Sequence, residues 1–215
     1  MSNSPSEGWF ESGEGDPPPV PRLERHDLQD GSLFWSGVLP EELLAEGQAF
    51  EALWDLHPET YHTIKMHGRP VKTPRFQQAY GADYHYTGNT NKALPTPPSL
   101  AAYLEWGQRA VDPRLNGLLL NWYDGAKDHY IGKHRDSTVG MLEGCPIVTI
   151  SLGERRIFRL RPWKSTKEKI DFEAFDSAVF VLPYATNLCW THEVPASKRL
   201  QGRRISITLR GFEGA

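Results

Sequence analysis

The stretch Arg204-Ile205-Ser206-Ile207-Thr208-Leu209-Arg210, near the end of a 215-residue chain, alternates strictly between polar and apolar side chains. A period of two sends successive side chains to opposite faces of a strand. Ile205, Ile207 and Leu209 therefore share one face, and Arg204, Ser206, Thr208 and Arg210 share the other. Reading back from there, residues 179–182, 157–160, 147–152 and 118–123 are short apolar or alternating runs separated by Gly, Pro and Asp, the pattern of strands. Further upstream the pattern turns helical. One helix is predicted from Pro40, with Leu43, Gly47, Phe50 and Trp54 on one stripe and Glu41 and Glu42 in its first turn. A second is predicted over residues 99–111, with Leu100, Leu104 and Val111 on its buried side. Short strands and loops fill residues 61–98. Helices followed by many short strands predict a mainly β, α+β chain whose core is a double-sheet jelly roll with a helical flank.

Residues 1–30 are rich in Gly, Pro, Ser and acid, including Pro17-Pro18-Pro19, and are expected to form a flexible tail. The rest, 31–215, is expected to be one domain, with 60–115 as its substrate-recognition region and 116–213 as the catalytic roll. Hydrophobic residues make up 39% and charged residues 24%, the balance of a globular protein. No apolar run reaches membrane-spanning length, and the N-terminus has no secretory pattern. Two cysteines, Cys145 and Cys189, give neither a disulfide framework nor a zinc signature, which points to a reducing intracellular compartment, cytoplasmic or nuclear. A monomer is expected.

The formal charge of −3 is unevenly placed. Seven bases (Arg155, Arg156, Arg159, Arg161, Lys164, Lys167 and Lys169) face only Glu154 and Glu168 within residues 154–169. Such a run is either a phosphate-binding patch or a solvated face.

His134-Arg135-Asp136 carries the chemistry. In extended chain, His134 and Asp136 point the same way and Arg135 points off. An imidazole and a carboxylate two residues apart, with a distant histidine, make the facial triad that suits Fe(II) and leaves coordination positions open. His192, in Trp190-Thr191-His192-Glu193-Val194-Pro195, is the candidate third ligand, and His129 is taken as structural. Zinc is disfavoured because no cysteine is near. On the last strand two arginines bracket two hydroxyls. That is either a wet strand face or a receptor for a dicarboxylate, since guanidinium forks bind carboxylates bidentately. At strand rise the two arginine Cα atoms lie about 20 Å apart, so the side chains must lean inward or serve different groups. Asn121 and Tyr123 share a face one strand step apart and are candidates for the same pocket.

Taken in order, Asn121-Trp122-Tyr123, the run from Asp128 to Asp136, Pro146-Ile147-Val148 through Ser151-Leu152-Gly153, Trp190-x-His192 with Pro195, and Arg204 through Thr208 to Arg210 resemble the catalytic half of AlkB-family dioxygenases. The likeness extends more weakly upstream through Pro74-Arg75-Phe76-Gln77, Tyr80-Gly81 and residues 84–88. The resemblance implies iron held by His134, Asp136 and His192. It implies 2-oxoglutarate held by Arg204 and Tyr123 at its distal carboxylate, by Asn121 and Arg210 near its chelating end, and lined by Ser206 and Thr208. Oxygen and 2-oxoglutarate would be consumed and succinate and carbon dioxide released. An N-methyl group hydroxylated in this way loses formaldehyde.

The same resemblance implies a nucleic-acid substrate, DNA or RNA. Tyr84 and Tyr86 match positions that flank the target base, Lys198 and Arg199 match a strand-holding basic stretch, and Arg75 and Gln77 approach the nucleic acid. His67 falls where some members insert an aromatic wedge. One departure stands out: Ser137-Thr138-Val139 follow Asp136 where members that repair cationic bases place an acid, Glu143 being the nearest substitute. Ser206 replaces an asparagine, a milder change. Two other readings remain open: a 2-oxoglutarate-dependent hydroxylase of a protein side chain or small metabolite, and a non-catalytic nucleic-acid-binding module. The second should show decay among its ligands and arginines, and none is visible.

Overall fold

The computed structural model describes residues 23–214 apart from 67, 87 and 166. Its strands open with Glu24–Asp27 (β1) and Leu33–Val38 (β2). After the helix Gln48–Trp54 (α1) come the hairpin Thr63–Met66 (β3) with Arg69–Lys72 (β4), then Phe76–Tyr80 (β5). A second small hairpin, Tyr84–Tyr86 (β6) with Asn89–Asn91 (β7), is followed by the two-residue Ala93–Leu94 (β8) and the helix Pro98–Ala110 (α2). The C-terminal half contributes Gly117–Asp124 (β9), Ile131–His134 (β10), Ile147–Gly153 (β11), Arg156–Pro162 (β12), Ile170–Ala174 (β13) and Ala178–Leu182 (β14). The short helix Tyr184–Cys189 (α3) leads to Trp190–Val194 (β15) and Arg203–Arg210 (β16).

These strands form an eight-stranded sheet in the order β1-β2-β14-β11-β16-β9-β5-β8 and a four-stranded sheet β10-β15-β12-β13. Strict alternation decides which residues go where. Leu118, Leu120, Trp122, Ile205, Ile207 and Leu209 turn to one face of the large sheet and pack with Leu100, Tyr103 and Trp106 of α2. Leu119 and Tyr123 turn to the opposite face and pack with Phe158, Leu160 and Trp190 of the small sheet. The space between the two sheets is therefore lined by the polar positions of β16 and β9, and that is where the site forms. At the end of β11, Gly153 has φ +84°, and a Cβ there would stand 2.5 Å from the Arg203 carbonyl oxygen. Only glycine lets the chain turn so close under β16.

Three expectations need correction. Much of the anticipated tail lies outside the described residues, but from Glu24 onward it is structured: β1 pairs with β2, Leu28 is buried and the Trp190 indole N–H donates to Asp30 at 3.0 Å. Apolar content is low in 1–30 as a whole, yet its last residues cover an edge of the large sheet. The helix from Pro40 is broken into a single 3-10 turn, Glu41–Leu43, and α1, because Gly47 adopts φ 51° and interrupts the run. Strands β1, β2, β10, β13 and β15 were not foreseen.

Candidate active site

Antiparallel register assembles the site row by row. Gln77 of β5 stands opposite Asn121 of β9, Asn121 opposite Ser206 of β16, and Ser206 opposite Ser151 of β11. In the next rows Tyr123 faces Arg204, and Leu119, Thr208 and Thr149 lie side by side. Directly opposed residues of a sheet are within side-chain reach. The small sheet adds the other wall: His134 of β10 stands opposite His192 of β15, just beyond an irregularity in register that begins at Ile131.

The two histidines and Asp136 converge. His134 Nε2 lies 3.5 Å and His192 Nε2 3.7 Å from Asp136 Oδ1, and one ligand atom from each residue lies within 4.8 Å of the other two. The His134 Nδ1–H donates to the Gly132 carbonyl at 2.9 Å, which leaves Nε2 with its lone pair toward the cluster. Burial, together with the neighbouring His134, pushes the His192 imidazole down to about 3, so it stands neutral with a lone pair to offer. Burial opposes ionisation of Asp136, but Arg210, with His192 and His134, holds the carboxyl well below its usual range. Arg210 Nη2 donates to Asp136 Oδ2 at 2.5 Å, which turns Oδ1 toward the histidines. Two imidazoles and one carboxylate, already converged, are a donor set that fits Fe(II).

Sequence reading missed the supports of Asp136. Asn187 of α3, 1% exposed, accepts from the Asp136 N–H and donates to the Asp136 carbonyl, each at 3.0 Å. This paired clamp fixes the backbone on which the carboxylate sits. Nothing local in Tyr184-Ala185-Thr186-Asn187 signals it, since the partner lies 51 residues away.

Arg204 is fully buried. Its Nε donates to Ser151 Oγ at 2.9 Å and its guanidinium lies 5.1 Å from the centre of the Tyr123 ring, while Nη1 and Nη2 have no hydrogen-bond partner among the described residues. Two unpaired buried donors on a cation call for an anion. The two arginines of β16 thus serve different groups: Arg210 serves Asp136, and Arg204 is left free for a ligand. Between them, Ser206 and Thr208 are both buried. All four line a cavity of about 510 Å³ together with Asn121, Tyr123, His134, Asp136 and His192.

The expected substrate residues divide. Arg75, Gln77, Tyr84 and Tyr86 line this cavity. The two tyrosine rings stack on each other, centres 5.2 Å apart, rather than standing on opposite sides of a gap. Tyr84 is buried beneath Arg210, 4.5 Å from the guanidinium to the ring centre, and accepts from the Ser137 N–H at 3.2 Å. Tyr86, half-buried, is the more exposed of the two rings. Lys198 and Arg199 are exposed on the loop after β15 and do not line the cavity, and His67 lies outside the described residues. Glu143 is exposed and also absent from the cavity lining, so it does not replace the missing acid. His129 is buried; it receives the Asp124 N–H at Nδ1, and its Nε2 meets the Tyr61 hydroxyl at 3.0 Å, so its role is in the fold.

The basic run 154–169 is less free than its sequence suggests. Arg159 pairs with Asp171 and Glu193, Arg161 with Glu193, Arg155 with Glu173 and Lys169 with Asp171, while Arg156 is buried. Cross-strand acids on β13 and β15 neutralise most of it.

Comparison with known proteins fits this site. A family model described as the 2OG-Fe(II) oxygenase superfamily matches residues 36–210. The chain therefore belongs to that superfamily, in its AlkB branch: it is an oxidoreductase, a dioxygenase that uses Fe(II), 2-oxoglutarate and O2. Relatives include the DNA oxidative demethylase ALKBH2 of Bos taurus, 25% identical over 85% of this chain and 74% of its own. The human ALKBH2 is 27% identical over 78% and 70%. The alpha-ketoglutarate-dependent dioxygenase alkB homolog 3 of Rattus norvegicus is 26% identical over 64% and 50%. Among solved structures, OsALKBH1 superposes with a TM-score of 0.53 at 14% identity, covering 87% of this chain and all of that one, a likeness of fold. Among the described residues no helix is long and apolar enough to cross a membrane.

Proposed function

We propose that this dioxygenase removes alkyl groups oxidatively from bases in DNA or RNA, a reaction of alkylation repair. The observation that carries the reading is the single cavity in which the His134–Asp136–His192 cluster, the unpaired guanidinium of Arg204 and the half-buried ring of Tyr86 meet. The names of its demethylase relatives support the same reading.

In this reading His134, Asp136 and His192 hold the iron, which supplies oxygen activation when bound. Arg204 takes the distal carboxylate of 2-oxoglutarate, with Tyr123 beneath it and Ser206 and Thr208 along its length. Asn121 stands nearer the metal end, and Arg210 keeps Asp136 ionised and aimed. A target base must leave its helix to reach the cavity and stack against Tyr86, a contact of about 1–3 kcal/mol. The walls of β5, β9 and β12 exclude water while a C–H bond is hydroxylated. Lys198 and Arg199 hold the strand outside.

The test is binding of labelled oligonucleotides across a salt series, paired with succinate formation on methylated oligonucleotides, free amino acids and peptides. Replacing Lys198 and Arg199 together with Ala should weaken binding to every sequence and flatten its salt dependence by up to about two phosphate contacts. Absence of oligonucleotide binding at low salt refutes the reading. The second reading, hydroxylation of a protein side chain or small metabolite, is favoured by the neutralised basic run and would show as turnover on peptides or metabolites alone.

A further inference from the structure

The charges around the cavity are one-sided. Its lining holds Lys72, Arg75, Lys133, Arg135, Arg204 and Arg210 but a single carboxylate, Asp136. Half of these cations are engaged elsewhere. Arg210 is paired with Asp136, Lys133 donates to the Ser165 carbonyl, and Arg135 lies 3.9 Å from the centre of the Trp163 ring while donating to the Leu188 carbonyl. Lys72 is exposed, and Arg204 awaits the co-substrate's carboxylate.

Arg75 is different. It is 7% exposed, and its hydrogen bonds go to neutral amides: Nε donates to Asn121 Oδ1 at 2.6 Å and Nη2 to Gln77 Oε1 at 3.2 Å. The Tyr86 hydroxyl donates to the same Gln77 oxygen at 3.1 Å, so the Arg75 charge sits beside the ring a base would stack on. A buried charge without a counter-charge projects its field into the cavity with little screening.

We infer that Arg75 sets the charge specificity of the substrate pocket, which accepts a neutral, carbonyl-bearing alkylated base and rejects a cationic one. This deepens the nucleic-acid reading and rests on it. A positive base entering beside Arg75 meets repulsion, and no carboxylate lining the cavity is free to offset it. A neutral base with an exocyclic oxygen instead gives an acceptor to the guanidinium N–H groups that Asn121 and Gln77 do not use. A bare departure such as Ser137 after Asp136 would remove a preference for cations; the Arg75 charge reverses it.

The test compares two single-stranded DNA oligonucleotides differing only in a central 3-methyluracil, neutral, or 3-methylcytosine, cationic at neutral pH and nearly the same shape. Competition binding and formaldehyde release are both read. The native protein should favour the neutral base by on the order of tenfold or more in each readout. Arg75→Gln should bring that ratio toward one, whereas Arg75→Lys, which keeps the charge and loses the fork, should retain most of it. A variant that fails to fold leaves the native ratio and the other variant to decide. Equal or better use of the cationic base by native protein, or an unchanged ratio in Arg75→Gln, overturns this inference alone. If neither oligonucleotide is bound or turned over while 2-oxoglutarate is still consumed, the nucleic-acid reading falls and this inference with it.

Discussion

Replacing Arg204 with Met should separate two quantities that usually fall together. Among the described residues its Nη1 and Nη2 are unpaired in a site with no exposure, and its Nε donates to Ser151. Two charge-assisted bonds to a carboxylate contribute about 1.5–3 kcal/mol each. Losing both weakens 2-oxoglutarate binding by about 3–6 kcal/mol, or roughly two to four orders of magnitude at 1.4 kcal/mol per decade. Without co-substrate the sign reverses. A buried unpaired cation costs several kcal/mol of desolvation, and a hydrophobic side chain of similar length removes that cost, so the ligand-free variant should unfold at the same temperature or higher. Ile205→Ala is the control. One residue along β16 it faces the helices, fully buried, and should cost about 2–5 kcal/mol of stability while leaving co-substrate affinity alone. Thermal melts of each protein, with Mn2+ and with or without 2-oxoglutarate, read both quantities. An Arg204→Met protein that melts well below native yet keeps its 2-oxoglutarate-dependent shift would refute the reasoning.

Other outcomes follow from particular contacts. Ala at His134, Asp136 or His192 should abolish iron-dependent succinate formation while leaving the chain folded; full turnover by any of them sinks the ligand set. Asn187→Ala should weaken metal binding by about 10–100-fold in a direct metal titration, because the backbone of Asp136 loses both of its clamps. In native protein, iodoacetamide should label Cys189, which is exposed, and spare Cys145, whose burial pushes its thiol up to about 11; equal labelling before denaturation would contradict this. The hydrogen bond from Arg159 lowers the Asp171 carboxyl below its ordinary value despite partial desolvation. That pair therefore contributes stability above the unfolded-state pKa near 4 and loses it as pH falls through the lower folded-state value. Asp171→Asn should accordingly reduce urea resistance at pH 7 and show a shallower decline below pH 4.

The β-rich architecture and the two faces of β16 were legible because alternation with period two survives any tertiary arrangement that buries one face. The histidines that converge on Asp136 were legible through motif order. What supports them was not: Asn187 reaches Asp136 across 51 residues, and the register that sets Gln77, Asn121, Ser206 and Ser151 in one row is a property of four strands at once. Strand β1, Glu-Arg-His-Asp, hid in polar sequence because an edge position needs few apolar residues. Charge misled for a related reason. Residues 154–169 read as a basic run, but the acids that neutralise it, Asp171, Glu173 and Glu193, come from neighbouring strands.

The ion pair between Arg210 and Asp136 bears on the order in which the protein is made. Many small metal sites cannot form until the ion arrives, because bringing their ligands together unassisted is too unfavourable, and the domain then stays unfolded without it. Here the Asp136 carboxylate already has a partner built into β16 of the large sheet, and Nε2 of both histidines already stands within 4 Å of it. The chain can therefore complete its folding first and receive iron afterwards. A chelator would then silence the enzyme without unfolding it, and resupplied metal would restore it without any refolding step. Activity would follow the supply of iron, whereas the lifetime of the protein would not.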